Sequence, residues 1–396
     1  MSSPSVVYTS FDRFPAPKGA STHILAFVKV LVEEQGELDL VTASPERNHF
    51  PTTCMRRLGA DRFQIRHTEL PTLGQSLTER VLGFRTQLRY WWGARKPKFA
   101  HIRSIFEGYP IAKEKKAWCE KLVYEVNGLP SIELKYRYPL VADDPELMRK
   151  MLQQERICLK AADLVITVSE VNAEYLIRHG GDPARIHVIP NGVETVLFQY
   201  QAPRLDKLSS MVILYSGTFS KWQGLGVAIE SLSLLRAEVD AKLIIAGSGK
   251  ERDQLGLMRY AHRLGVAGSV EFRGGIPQDQ LADLHHEADV VLVPLISNDR
   301  NLVQGCCPLK LLEAMASGTP VIASDLPVVR CIATGGREAM LVRPGSAKAI
   351  KEGLVYLRDN PCFARQLSLN ARSRVENHFT WTLAGQKLRQ AYRTIS

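Results

Sequence analysis

The stretch NLVQGCCPLKLLEAMASGTPVIAS, residues 301–324, decides how the whole chain is read. A loop with two adjacent cysteines, Cys306 and Cys307, runs into Pro308. The spacing of Leu309, Leu312, Met315 and Ala316 predicts a short helix that begins at Pro308 and stops at Ser317-Gly318-Thr319-Pro320. Val321-Ile322-Ala323 then reads as a buried strand. Proline suits a first helical position, where its missing N–H would have no partner anyway. The free N–H groups and the positive dipole end of such a helix suit an anion. Glu313 follows Pro308 by five residues, ~7.5 Å up the axis at about 1.5 Å per residue. That offset fits a diphosphate at the helix start, on Pro308, Leu309 and Lys310, with a ribose diol on the Glu313 carboxylate. Spacing alone fits equally well a helix and strand packed in a core with no site.

Working outward, strands and helices alternate on both sides of this stretch. Val6 to Ser10 reads as a strand, Phe11 to Ala20 as a loop, and Ser21 or Thr22 as the cap of a helix reaching Glu34, before a second strand at Leu38–Thr42. This is the opening of a doubly wound parallel sheet. A second such opening starts at Val212–Ser216. It is followed by the loop Gly217–Gly224, a strand at Lys242–Ala246 ending in Gly247, and strands near Val270–Phe272 and Asp289–Pro294. Glycine-bounded loops entering helices are candidate phosphate cradles. The polar stretch Gln201–Ser209 reads as a linker. At 396 residues the chain is too long for one ordinary core. Two α/β domains are expected, residues 1–200 and 210–380, with a terminal helix over 381–396.

Composition narrows the class. No apolar run is long enough to span a bilayer, and MSSPSVVYTSF lacks the features of a signal peptide. Seven scattered cysteines, an odd number without metal spacing, point to reduced thiols in the cytoplasm. The net charge of +10 is concentrated between Arg47 and Lys121, which hold 16 Lys and Arg against 6 Asp and Glu. Residues 76–98, SLTERVLGFRTQLRYWWGARKPK, mix six basic residues with bulky apolar ones. That pattern fits a helix lying on an anionic membrane surface, and equally a solvated helix packing on the sheet. Nucleic acid is the weaker explanation, since no recognition motif accompanies the charge. Nicotinamide binding is rejected, because Gly247 and Gly249 are followed by Arg252 where a third glycine belongs.

PLKLLEAMASGTPVIASD resembles the donor-site signature of the family 4 glycosyltransferases, retaining enzymes with the two-domain GT-B fold. Ile189-Pro190-Asn191-Gly192-Val193 is similar to the family's hinge, and residues 381–396 resemble its closing helix, which crosses back onto the first domain. The resemblance implies two Rossmann-like domains facing a central cleft. It also implies a nucleotide-diphosphate sugar as co-substrate, uridine most often, with no metal or other cofactor, and an acceptor that the sequence does not identify.

Residue by residue, Gly19 matches the second glycine of a family loop near the phosphates. Arg273, Gly275 and Ile276 match the segment that holds the base, and Glu313 matches the second Glu of the Glu-x7-Glu motif. Several positions depart from the family. The first Glu falls on Gly305, the usual histidine near the reacting sugar on Asn127, and the usual Arg and Lys of the loop after Gly217 on Thr218 and Gln223. Lys310, aided by Lys221, is therefore expected to supply the diphosphate's counter-charge. Glu313, Lys310 and Asn127 are the expected catalytic set. Two other readings stay open: an epimerase or phosphorylase on the same fold, and a catalytically silent membrane-associated subunit.

Overall fold

Val6, Val7 and Tyr8 are wholly buried, as a strand covered on both faces requires, and they begin the central strand of the first sheet. The structure is a computed structural model and describes residues 4–44, 50–57, 64–72, 74–139, 143–204 and 210–396. The chain divides into two compact units. One is Met1–Ala16, Ala20–Ile189 and Gly385–Ser396; the other is Pro17–Gly19 and Pro190–Ala384. The division falls at Ile189/Pro190, about a dozen residues earlier than the expected linker, of which 205–209 lie outside the described residues.

Among the described residues the first unit has eight strands: β1 Val6–Arg13, β2 Leu38–Ala43, β3 Thr52–Arg57, β4 Gln64–Leu70, β5 Phe99–Ile102, β6 Lys121–Val126, β7 Leu164–Thr167 and β8 Ile186–Val188. Their order is β3-β4-β2-β1-β5-β6-β7-β8. All neighbours are parallel except β3, which lies antiparallel on β4. The winding reverses between β1 and β5, so the sheet has a switch point there. β1 runs on through Phe11 to Arg13, with a register irregularity after Ser10, where the sequence pattern suggested a loop. The next helix starts at Gly19, so Ser21 and Thr22 are inside it rather than capping it. The Ser21 hydroxyl instead accepts from the Ala16 N–H at 2.9 Å.

The helix of the basic region is Leu77–Trp92. Ser76 caps it through a reciprocal bond with Glu79. Its side toward the sheet carries Val81, Phe84, Leu88 and Trp92, all buried, the last three in the core beside Ile102 and Tyr124. Arg85 turns inward to the carbonyls of Ile105 and Phe106, both at 2.7 Å. The apolar residues that suggested a membrane surface are therefore mostly core. Leu82 and Tyr90 are the large apolar side chains of this helix left exposed. No helix among the described residues is long and apolar enough to cross a membrane.

The second unit holds β9 Ser210–Ser216, β10 Asp240–Ala246, β11 Val270–Arg273, β12 Val290–Val293, β13 Val321–Ser324 and β14 Met340–Val342. The order is β11-β10-β9-β12-β13-β14, all parallel, with the switch point between β9 and β12. β14 was not expected, because its three residues are only half-buried and carry no strong pattern. The last helix, Trp381–Arg393, leaves the second unit at Gly385. Leu388, Ala391 and Tyr392 are buried in the first unit, and Arg393 pairs with Glu34 there at 3.0 Å.

Candidate active site

The opening stretch builds its helix one residue later than expected. Pro308 has φ −72° and ψ 112°, so it caps the helix Leu309–Ser317 instead of starting it. Leu311, Leu312, Ala314, Met315 and Ala316 are fully buried, which anchors the helix in the core. Gly318, at φ 85°, ends it in the left-handed conformation glycine favours. The core reading and the site reading both hold, because Lys310 and Glu313 leave the helix one turn apart and are themselves only 7% and 6% exposed.

Lys310 has a built seat. Its Nζ lies 3.8 Å from the centre of the Tyr215 ring and donates to Gln223 Oε1 at 2.7 Å. Tyr215 sits near the carboxyl end of β9, and its hydroxyl donates to the Thr218 carbonyl at 2.7 Å. A Cβ on Gly217 (φ 138°) would lie 2.9 Å from the Lys310 Nζ, so the lysine needs this residue bare. Gly247, at the end of β10, is tighter still: a Cβ there would sit 1.9 Å from the Gly217 carbonyl oxygen. The Gly247 N–H donates to the carbonyls of Arg273 and Gly274, tying in the end of β11. The Ser216 hydroxyl is buried at the end of β9 and has no partner among the described residues.

Burial pushes the Lys310 ammonium down to about 7, against the pull of Glu313 and Cys306. Burial likewise pushes the Glu313 carboxyl up to about 7, against Lys310. Both groups therefore gain from a ligand that pairs with their charged forms. These groups gather at the carboxyl ends of β9 and β10, beside the β9/β12 switch point, the edge where open α/β sheets commonly bind ligands.

The structure thus brings together Lys310, Glu313, Gly217, Thr218, Gln223 and Gly247. Gln223 does not replace a cation; it holds one. Lys221 is exposed in the turn Lys221–Gln223 and does not share the Lys310 seat. The Arg273 guanidinium is engaged with Glu271 at 2.5 Å, and the Arg273 carbonyl accepts from the Gly247 N–H at 3.0 Å. Gly19 groups with the second unit, in Pro17–Gly19. At Gly305 (φ 79°), where the first Glu of the motif is missing, the carbonyl accepts from Arg300 Nη1 at 2.9 Å. Asn127 lies in the first unit, just past β6, and donates to Glu125. Tyr215 was missed by sequence reasoning. It sits in an apolar strand and carries no motif of its own.

Two family models match the chain: Glycosyltransferase Family 4 over residues 17–197 and Glycosyl transferases group 1 over residues 201–374. A D-inositol 3-phosphate glycosyltransferase of Streptomyces scabiei is 24% identical over 402 aligned residues, covering 94% of this chain and 86% of that protein. Among solved structures, the sucrose-phosphate synthase of Thermosynechococcus elongatus superposes with a TM-score of 0.79 at 20% identity, covering 98% of both chains. Anabaena HepE in complex with UDP-glucose superposes with a TM-score of 0.72 at 16% identity, covering 98% of this chain and 99% of that one. With these matches and the two sheets, the chain is a glycosyltransferase of the GT-B fold and of the family 4 type.

Proposed function

We propose that the protein is a retaining transferase that moves a sugar from a nucleotide-diphosphate sugar, with UDP as the favoured nucleotide, to an acceptor hydroxyl. The observation that carries this reading is the buried Lys310, held between Tyr215 and Gln223 at the carboxyl edge of the second sheet. In the reaction the bond between the anomeric carbon and the phosphate oxygen breaks, and the acceptor oxygen bonds to that carbon. The acceptor's proton leaves on the departing phosphate. Negative charge grows on the diphosphate, and a fixed cation aimed there stabilises the transition state more than the ground state. Lys310 supplies that cation, the start of the helix Leu309–Ser317 adds its N–H groups, and Glu313 accepts from the ribose hydroxyls. No metal ion is required in this scheme.

The complex of Anabaena HepE with UDP-glucose supports the choice of nucleotide, as a neighbour of the same fold. A bilayer contact through residues 76–98 would have only Leu82 and Tyr90 to insert, so the acceptor is not assigned to a membrane. Calorimetry with UDP-, GDP- and ADP-sugars tests the donor. A buried charge-assisted contact is worth roughly 1.5–3 kcal/mol, so Lys310→Ala is expected to weaken UDP-glucose binding by about 10- to 150-fold. Binding within twofold of the parent would remove Lys310 from the site. Anomeric analysis of the product by NMR checks retention, and an inverted linkage would overturn that part of the reading.

A further inference from the structure

A second cluster of polar groups lies in the first unit, at the switch point between β1 and β5. Its centre is Glu125, on β6 and wholly buried. The Tyr8 hydroxyl donates to its Oε2 at 2.8 Å, and His101 Nε2 lies 2.9 Å from the same oxygen. Its Oε1 faces Arg103 Nε at 2.8 Å and His23 Nε2 at 3.0 Å, and also accepts from Asn127 Nδ2. Burial would push this carboxyl up, but His23, Arg103 and His101 outweigh it and hold Glu125 well below the usual carboxylate range. A charge this enclosed is costly unless every lone pair is used, and here they are.

The cluster has a surface. Arg103, 6% exposed, is turned inward by Glu125, and its Nη1 is bound to Asp12 at 2.7 Å. Asp12 is exposed at the end of β1, with half of its side chain open to solvent. Asn127, with its amide nitrogen fixed on Glu125, is left with a buried Oδ1 that has no partner among the described residues. The switch-point edge therefore carries two acceptors of different depth: the open Asp12 carboxylate, whose Oδ2 already takes Arg103 and Ser10, and behind it the buried Asn127 carbonyl. The nearby cation is already neutralised by two carboxylates.

We propose that this edge is the acceptor subsite, that it takes a neutral polyhydroxylated molecule rather than a phosphorylated one, and that Glu125 is its positioning residue. The proposal rests on the glycosyltransferase reading above. Hydroxyl groups donate to Asp12 and Asn127, whereas a phosphate would meet the Asp12 charge and find Arg103 engaged. Were Glu125 absent, Arg103 would be free to swing outward and Asn127 to rotate, and the preference would turn toward anions.

The test is saturation-transfer NMR with myo-inositol, methyl α-glucoside and methyl α-mannoside, each paired with a phosphate monoester of the same polyol. It is run on the whole protein with UDP bound, which confirms the donor site independently. At least one neutral polyol is expected to bind more tightly than its phosphate ester. Asp12→Asn and Asn127→Ala are each expected to weaken that binding tenfold or more, with UDP affinity unchanged. Glu125→Gln is expected to narrow or reverse the preference for the neutral partner, a change that a merely structural role would not produce. Tighter binding of the phosphate esters, no binding of any neutral polyol, or no effect of Asp12→Asn would each overturn the proposal while UDP binding stands. Loss of UDP binding in the parent protein would instead overturn the donor reading.

Discussion

Lys310 and Glu313 share one helix face, and each is held by burial near the midpoint of its titration at about pH 7. Donor binding needs the lysine protonated and the carboxylate ionised. The two titrate as a pair, so the behaviour belongs to both. Affinity for UDP-glucose, whose diphosphate diester does not titrate in this range, is expected to peak near pH 7. It should fall on the alkaline side as Lys310 loses its proton, and on the acid side as Glu313 gains one. Calorimetry between pH 5.5 and 8.5 checks this, with Lys310→Met flattening the alkaline limb and Glu313→Gln the acid limb. The same lysine affects stability in a known direction. Its folded pKa lies below the unfolded value of about 10.4, so the folded state binds fewer protons and this contribution to stability grows as pH rises from 7 toward 10. Lys310→Met is therefore expected to raise the thermal midpoint, and to do so most below pH 7.

At the scale of elements, the site depends on strand ends brought closer than side chains allow. Gly247, with φ 146° and the Gly217 carbonyl against its α-carbon, is the tightest of these. Such a backbone costs a non-glycine residue about 1–3 kcal/mol before any clash. Gly247→Ala is expected to lower the thermal midpoint of the second unit by roughly 2–12 °C and to weaken donor binding. Differential scanning calorimetry with and without UDP reads both. These glycines were legible in the sequence, as were the parallel strands around them, because alternation of apolar runs and glycine loops is a local signal. So was the stretch carrying Lys310 and Glu313. The Glu125 cluster was not, because its members come from positions 8, 23, 101, 103, 125 and 127 and only the folded sheet makes them neighbours. β3 was hidden for a related reason: its side chains are mostly exposed, and its pairing with β4 joins a run with no apolar alternation. Residues 76–98 left two readings open, since an amphipathic pattern does not say whether core or lipid lies on the apolar side.

Across the whole molecule, two sheets of similar winding each present a switch point, and each switch point carries a buried charge compensated by neutral partners and counter-charges. In the second unit the charged group is Lys310, seated on Tyr215 and Gln223; in the first it is Glu125, met by Arg103, His101 and His23. The first unit is completed by the far end of the chain. Tyr392 is buried against Phe99 at 5.1 Å between ring centres, and its hydroxyl reaches His101 Nδ1 at 2.6 Å. His101 in turn touches Glu125. A fragment of residues 1–200 is thus expected to unfold at lower temperature than the first unit within the full chain. A synthetic peptide of residues 381–396 is expected to restore much of the loss, read by circular dichroism, and a Tyr392→Ala peptide to restore far less.

The return of Gly385–Ser396 to the sheet begun at Val6 has a consequence for biosynthesis. During translation the strands of the first unit are made well before the helix that packs on Phe99 and His101, which follows every strand of the second unit. The trailing half can mature as soon as its own strands are exposed, so the domain made first is the last one finished.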